Sequence, residues 1–147
     1  ASCCAIGAKS VNCSEKELHK MHQFGEHLGM AFQIKDDLFD YGEEKIGKPL
    51  GIDIKERKMT LPLIYAINNS TFSERRKIKN IFKNFNKDRK KVNELIQLVK
   101  DKGGLDFAKA RMEDYQKKAL KLLFEFPKSE YRDALERMVG FVIERKI

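Results

Sequence analysis

Leu18, Met21, Gly25, Leu28 and Phe32 recur at steps of three and four behind a Ser14/Glu17 pair. A serine followed three residues later by glutamate is a reciprocal cap, each side chain taking the other's backbone N–H. Together they predict one long amphipathic helix over residues 15–41. Ahead of it, residues 1–8 are a small, apolar run without an initiator methionine, which reads as the inner end of a helix already under way and suggests a piece of a longer chain. Gly42 closes the long helix, and residues 42–58, with Gly47, Pro49 and Gly51, read as a loop. Thr60 then caps a short helix with Pro62 in its first turn, where a missing N–H costs nothing. Helical periodicity returns over residues 73–85, 89–102, 105–126 and 129–145, separated by Asn-rich, Gly103-Gly104 and Pro127 breaks. Phe82, Phe85, Phe107, Phe124 and Phe126 continue the apolar pattern and are assigned to the core. No strand alternation and no internal repeat is present, so the expected class is all-α, an antiparallel helical array.

Composition narrows the setting. With 147 residues, 41% hydrophobic and 35% charged, the chain is long enough for one globular domain over residues 1–147, of cytoplasmic type. No run approaches the roughly 20 apolar residues that span a bilayer, so membrane insertion is not expected. Cys3, Cys4 and Cys13 are odd in number and crowded near the start, which suits reduced thiols better than a bridge or a metal knot. The net charge of +8 is compatible with nucleic acid, an anionic membrane or phosphorylated substrates, and its sign alone does not choose. The basic clusters Arg75-Arg76-Lys77, residues 87–91 and Lys117-Lys118 alternate with apolar positions, so solvated helix faces are the simplest account. With no recognition motif, nucleic acid is the weakest of the functional readings.

The chemistry concentrates on the long helix. Gly29, Gln33, Asp36 and Asp40 are spaced four, three and four, so they share a face, with Asp37 beside them. Three carboxylates at a helix C-terminus repel one another and oppose the macrodipole, so a positive partner is expected. An isolated D-D-x-x-D is more often a solvated patch. Here Phe32, Ile34, Leu38 and Phe39 make the surroundings apolar, and Lys48, Asp53 and Lys58 follow at five-residue intervals among glycines. Carboxylates for a hard cation and lysines for an anion are what Mg²⁺ with a diphosphate requires. The spacing does not fit an EF-hand. His19, His22 and Glu26 share a face at metal-ligand spacing, but surface polarity explains them more simply and HExxH is absent.

The blocks Gly29-Met-Ala-Phe-Gln-Ile-Lys-Asp-Asp-Leu-Phe-Asp40, Gly47-Lys-Pro-Leu-Gly-Ile-Asp53 and Lys58-Met-Thr-Leu-Pro62, in this order, resemble the second aspartate-rich motif and following loop of the trans-polyprenyl diphosphate synthases. The Gly103-Gly104-Leu105 break resembles the family more weakly, and the C-terminal part leans toward an octaprenyl enzyme. The resemblance implies the C-terminal portion of the isoprenoid synthase fold, Mg²⁺ as cofactor, and condensation of an allylic diphosphate with isopentenyl diphosphate. It implies metal binding by Asp36, Asp37 and Asp40, diphosphate binding by Lys48 and Lys58, with Lys48 also catalytic, and Gln33 lining the same pocket. Arg145 and Lys146 resemble basic C-terminal ends that approach diphosphate in some members, although cations at a helix C-terminus are equally expected on electrostatic grounds. The family's first aspartate-rich motif is missing from these residues, so the 147-residue chain is expected to be inactive alone; the resemblance, together with the apolar start, implies self-association as a homodimer. The rival readings are a non-catalytic helical subunit retaining a diphosphate half-site or dimer surface, and a terpene cyclase, which the lysine loop disfavours.

Overall fold

The computed structural model describes residues 1–42 and 50–145, and every regular element in them is an α-helix, as the sequence pattern predicts. The order is α1 (Ser2–Ser10), α2 (Glu15–Phe39), α3 (Ile52–Lys55), α4 (Leu61–Asn68), α5 (Phe72–Asn84), α6 (Arg89–Asp101), α7 (Gly104–Leu123) and α8 (Glu130–Glu144). Side-chain caps set most of the starts. The Ser14/Glu17 box forms, with Ser14 N donating to Glu17 at 2.9 Å and Glu17 N donating to Ser14 Oγ at 3.3 Å. Thr71 and Glu74 repeat the box at α5. Asp88 accepts two N–H groups of α6, and Ser129 accepts Arg132 N at α8.

The chain divides into two compact units, with α2 and α7 each contributing to both. One comprises Ala1–Lys35 and Arg111–Lys146. Its core joins Phe24 and Leu28 of α2, Ala119 and Leu123 of α7, and Val139 and Val142 of α8. Gly25 lets α1 approach, since a Cβ there would stand 2.9 Å from Cys4 Sγ. The other unit is Asp36–Ala110. Leu63 and Ala66 of α4, Ile78 and Ile81 of α5, and Val92, Leu95, Ile96 and Val99 of α6 are buried there together with Ile54 of α3. A Cβ on Gly104 would meet the Pro62 carbonyl at 2.6 Å, and Tyr65 stacks on Phe107 at 4.2 Å between ring centres.

Three expectations are corrected. Residues 42–58 are not all loop, because 52–55 form a helical turn. The long helix stops at Phe39 rather than residue 41: Tyr41 N and Gly42 N bond carbonyls only three residues back, and Gly42 takes a left-handed φ of 75°. Phe85 and Phe124 are 44% and 49% exposed rather than core. Each lies just past the last residue of its helix, where the period that would have buried it has ended; Phe124 carries the Arg132 guanidinium 5.7 Å above its ring. Phe82, Phe107 and Phe126 are partly buried.

Candidate functional site

The last turn of α2 carries Asp36 and Asp37, both partly exposed, and the chain leaves it through Asp40, which is only 9% exposed. Asp40 is a joint between two segments. Its Oδ1 accepts Ile52 N at 2.6 Å, its Oδ2 accepts Asp53 N at 3.2 Å, and its carbonyl accepts Gly51 N at 3.0 Å. Gly51 occupies the N-cap of α3 in the left-handed region (φ 74°) and has no side chain to offer the first N–H groups, so a carboxylate from twelve positions upstream supplies the cap. Burial pushes the Asp40 carboxyl upward, the charge of Asp53 adds to it, and the N–H bonds oppose both.

Asp37 performs the same service for the next helix, its Oδ2 accepting Leu61 N, the first residue of α4, at 3.1 Å. The expected side-chain cap by Thr60 is therefore corrected. Thr60 stands at the N-cap position, but its hydroxyl is 2.5 Å from the Tyr41 hydroxyl, with both residues buried. Burial pushes the Tyr41 phenol upward, so it stays neutral and available as a donor.

Lys58 is exposed, with its ammonium 2.7 Å from Glu56 and 3.4 Å from Asp53, and this pairing raises its pKa. Its backbone N donates to the Asp53 carbonyl at 2.8 Å. A chain of contacts thus runs from Asp40 through Asp53 to Lys58. Two more bonds fix that segment from behind: Asn86 donates to the Lys55 carbonyl at 2.6 Å, and Arg57 donates to the Lys83 carbonyl at 2.9 Å. The result is a turn, tied to the end of α2 through Asp40, that carries an ammonium among carboxylates, an arrangement able to serve a cation and an anion together.

Residues 1–99 match the family model for polyprenyl synthetase. The chain belongs to the polyprenyl synthetase family. The chain is 33% identical over 148 residues to the short chain isoprenyl diphosphate synthase of Methanothermobacter thermautotrophicus, an alignment covering 99% of the chain and 45% of that protein. Among solved structures it is similar to the geranylgeranyl pyrophosphate synthase of Bacteroides thetaiotaomicron, with a TM-score of 0.88 and 38% identity over 97% of this chain and 48% of that one. It is also similar to a polyprenyl synthase of Caulobacter crescentus complexed with calcium and isoprenyl diphosphate, with a TM-score of 0.84 and 31% identity over 97% and 44%. The chain spans less than half the length of each of these proteins.

Other residues singled out from the sequence of this family member are placed as follows. Lys48 and Lys146 lie outside the described residues. Gln33 is exposed on α2, three positions before Asp36. The Arg145 guanidinium lies 3.9 Å over the Phe32 ring and donates to the Phe32 carbonyl at 3.4 Å. His19, His22 and Glu26 are exposed. Among the described residues no group of three or more His, Cys, Asp or Glu side chains converges to hold a metal unaided. The Asp40–Ile52–Asp53 joint and the Glu56 contact to Lys58 are not in the sequence reading. Both bridge a segment without helical period, so spacing carries no sign of them.

Proposed function

We propose that this chain supplies the second aspartate-rich half of the active site of a Mg²⁺-dependent prenyltransferase, which condenses an allylic diphosphate with isopentenyl diphosphate into a linear polyprenyl diphosphate. The observation that supports this reading is the Asp40 joint, which ties the carboxylates of α2 to the Lys58 turn within one compact unit. The printed names of its relatives describe diphosphate synthases, one of them complexed with calcium and isoprenyl diphosphate.

The donor set fits magnesium. Asp36 and Asp37 are partly exposed carboxylates, hard oxygen donors of the number Mg²⁺ usually takes from protein, with water and phosphate completing its shell. Bound there, the ion would stabilise the departing diphosphate. Asp40 gives both carboxylate oxygens to amides, so in this reading its part in the metal site is to position the segment that follows. Lys58 is itself exposed, paired with Glu56 and Asp53, and would turn to a diphosphate oxygen as a charge-assisted donor. Lys48 would join it, and Gln33 would line the same pocket. No covalent nucleophile is needed; positioning and leaving-group electrostatics carry the chemistry.

Calorimetric titration of the purified chain with inorganic diphosphate tests this. Binding should require Mg²⁺, disappear with chelator, and weaken at least about tenfold in Asp36→Ala and in Lys58→Ala. If millimolar diphosphate with Mg²⁺ gives no heat of binding, the half-site is absent and the reading as a non-catalytic helical subunit stands. These residues hold one aspartate-rich segment, so the chain alone is expected not to turn over the two substrates; full turnover would overturn the half-site assignment.

A further inference from the structure

The charge of this chain is unevenly placed. Residues 71–91 hold nine Lys or Arg and two Asp or Glu, a net +7 against +8 for all 147 residues. Part of that charge is neutralised locally. Lys77 and Lys91 pair with Glu94, and Arg75 donates to the Ile67 and Asn68 carbonyls. Arg76, Lys79 and Lys83 are exposed and have no acidic partner among the described residues.

Those three belong to one ridge. With Phe72 they are spaced four, three and four along α5, so they project from one face. Ile78 and Ile81 are buried on the opposite face of the helix. Phe72, the first residue of α5, is 84% exposed, the highest value among the large hydrophobic residues described. Asn80 and Asn84 flank the ridge with uncharged donors. The stripe is thus a line about 16 Å long, cationic along its length and aromatic at one end.

We propose that this face of α5 docks on the surface of an anionic lipid bilayer, with Arg76, Lys79 and Lys83 meeting the headgroups and Phe72 entering the interface. An anionic bilayer suits the row because its cations and its terminal ring are all exposed on one face of α5. A nucleic acid strand would call for aromatics between the cations, whereas the single ring stands at the end of the row. Clustered cations next to an exposed aromatic are the physical requirements for peripheral binding, each basic residue adding a modest attraction and the ring adding apolar contact. The apolar face of α5 is already used in the core, so docking needs no unfolding. No described helix is long and apolar enough to cross a membrane, and the contact is with the surface only. This inference rests on charge and exposure and does not depend on the prenyltransferase reading.

The test exploits the absence of tryptophan from the chain: Phe72→Trp places a single reporter on the ridge. Its emission should shift to the blue with vesicles containing phosphatidylglycerol and stay unchanged with phosphatidylcholine alone. In flotation, the triple variant Arg76→Glu/Lys79→Glu/Lys83→Glu should lose at least about tenfold in affinity for the anionic vesicles. Lys117→Glu/Lys121→Glu on α7 should lose much less, and circular dichroism verifies the fold of every variant. Molar salt should abolish binding, as the screening length falls from about 10 Å at 0.1 M to about 3 Å at 1 M. The proposal is overturned by an unshifted Phe72→Trp spectrum, by equal losses in the two charge-reversed variants, or by binding to RNA or polyglutamate in preference to the vesicles.

Discussion

Asp40 is the residue on which the local architecture turns. Two backbone N–H groups depend on its carboxylate, and each buried donor left without a partner costs about 1–3 kcal/mol. Asp40→Ala should therefore destabilise the chain by about 2–4 kcal/mol, read from the urea midpoint. Asp40→Asn should cost less, since its amide oxygen still accepts one of the two. An alanine variant as stable as the parent would mean that the joint is incidental. Gly51 is the second sensitive position: its φ is 74°, and a Cβ there would clash with Val92 Cγ1. Gly51→Ala should cost at least about 1 kcal/mol from backbone strain alone, and a neutral result would show that the left-handed turn at this position relaxes.

At the scale of elements, α5 offers a pH test. The Glu74 carboxyl is pulled down to about 2, first by the Lys102 ammonium 2.7 Å away and then by the N–H and hydroxyl of Thr71. The folded state binds this proton less tightly than the unfolded chain. Its contribution is therefore complete above the ordinary glutamate pKa of about 4.3 and is lost as the pH falls through about 2. The difference in urea midpoint between the parent and Glu74→Gln should be widest at neutral pH and close toward pH 2. A gap that persists there would assign the effect to shape rather than charge. Thr71→Ala should cost about 1 kcal/mol at neutral pH. The helices were legible in the sequence because their apolar residues keep a 3.6-residue period and because Ser14, Ser129 and the Gly103-Gly104 break mark ends. Helix α3 was not, since four residues are too few to show a period. The cap of α4 was misassigned for a related reason. Thr60 is the right residue type at the right place, but the Tyr41 hydroxyl engages it and Asp37, 24 positions away, takes the N–H.

Over the whole molecule, the family and its all-α fold were readable from three short blocks, whereas the division of labour among the aspartates was not. The spacing of Asp36, Asp37 and Asp40 shows a shared face, but it does not show that Asp40 turns both oxygens to amides. Nor does composition reveal that nearly all the net charge falls within residues 71–91. The unit built from the chain ends exposes Ile6 by 69%, Val11 by 75% and Phe141 by 66%. Exposed apolar side chains of this size favour association, and light scattering should show a concentration-dependent dimer. A clean monomer across a wide concentration range would remove the proposed homodimer.

The carboxylate caps also have a kinetic signature. First-turn amides of a helix ordinarily lack an internal acceptor and exchange with solvent quickly. Ile52, Asp53 and Leu61 are such amides, yet each is held by an aspartate of a distant segment. Deuterium uptake there should be slow for as long as the turn stays closed on the end of α2. Their exchange rates thus report how often the segment from Ile52 to Leu61 parts from the end of α2.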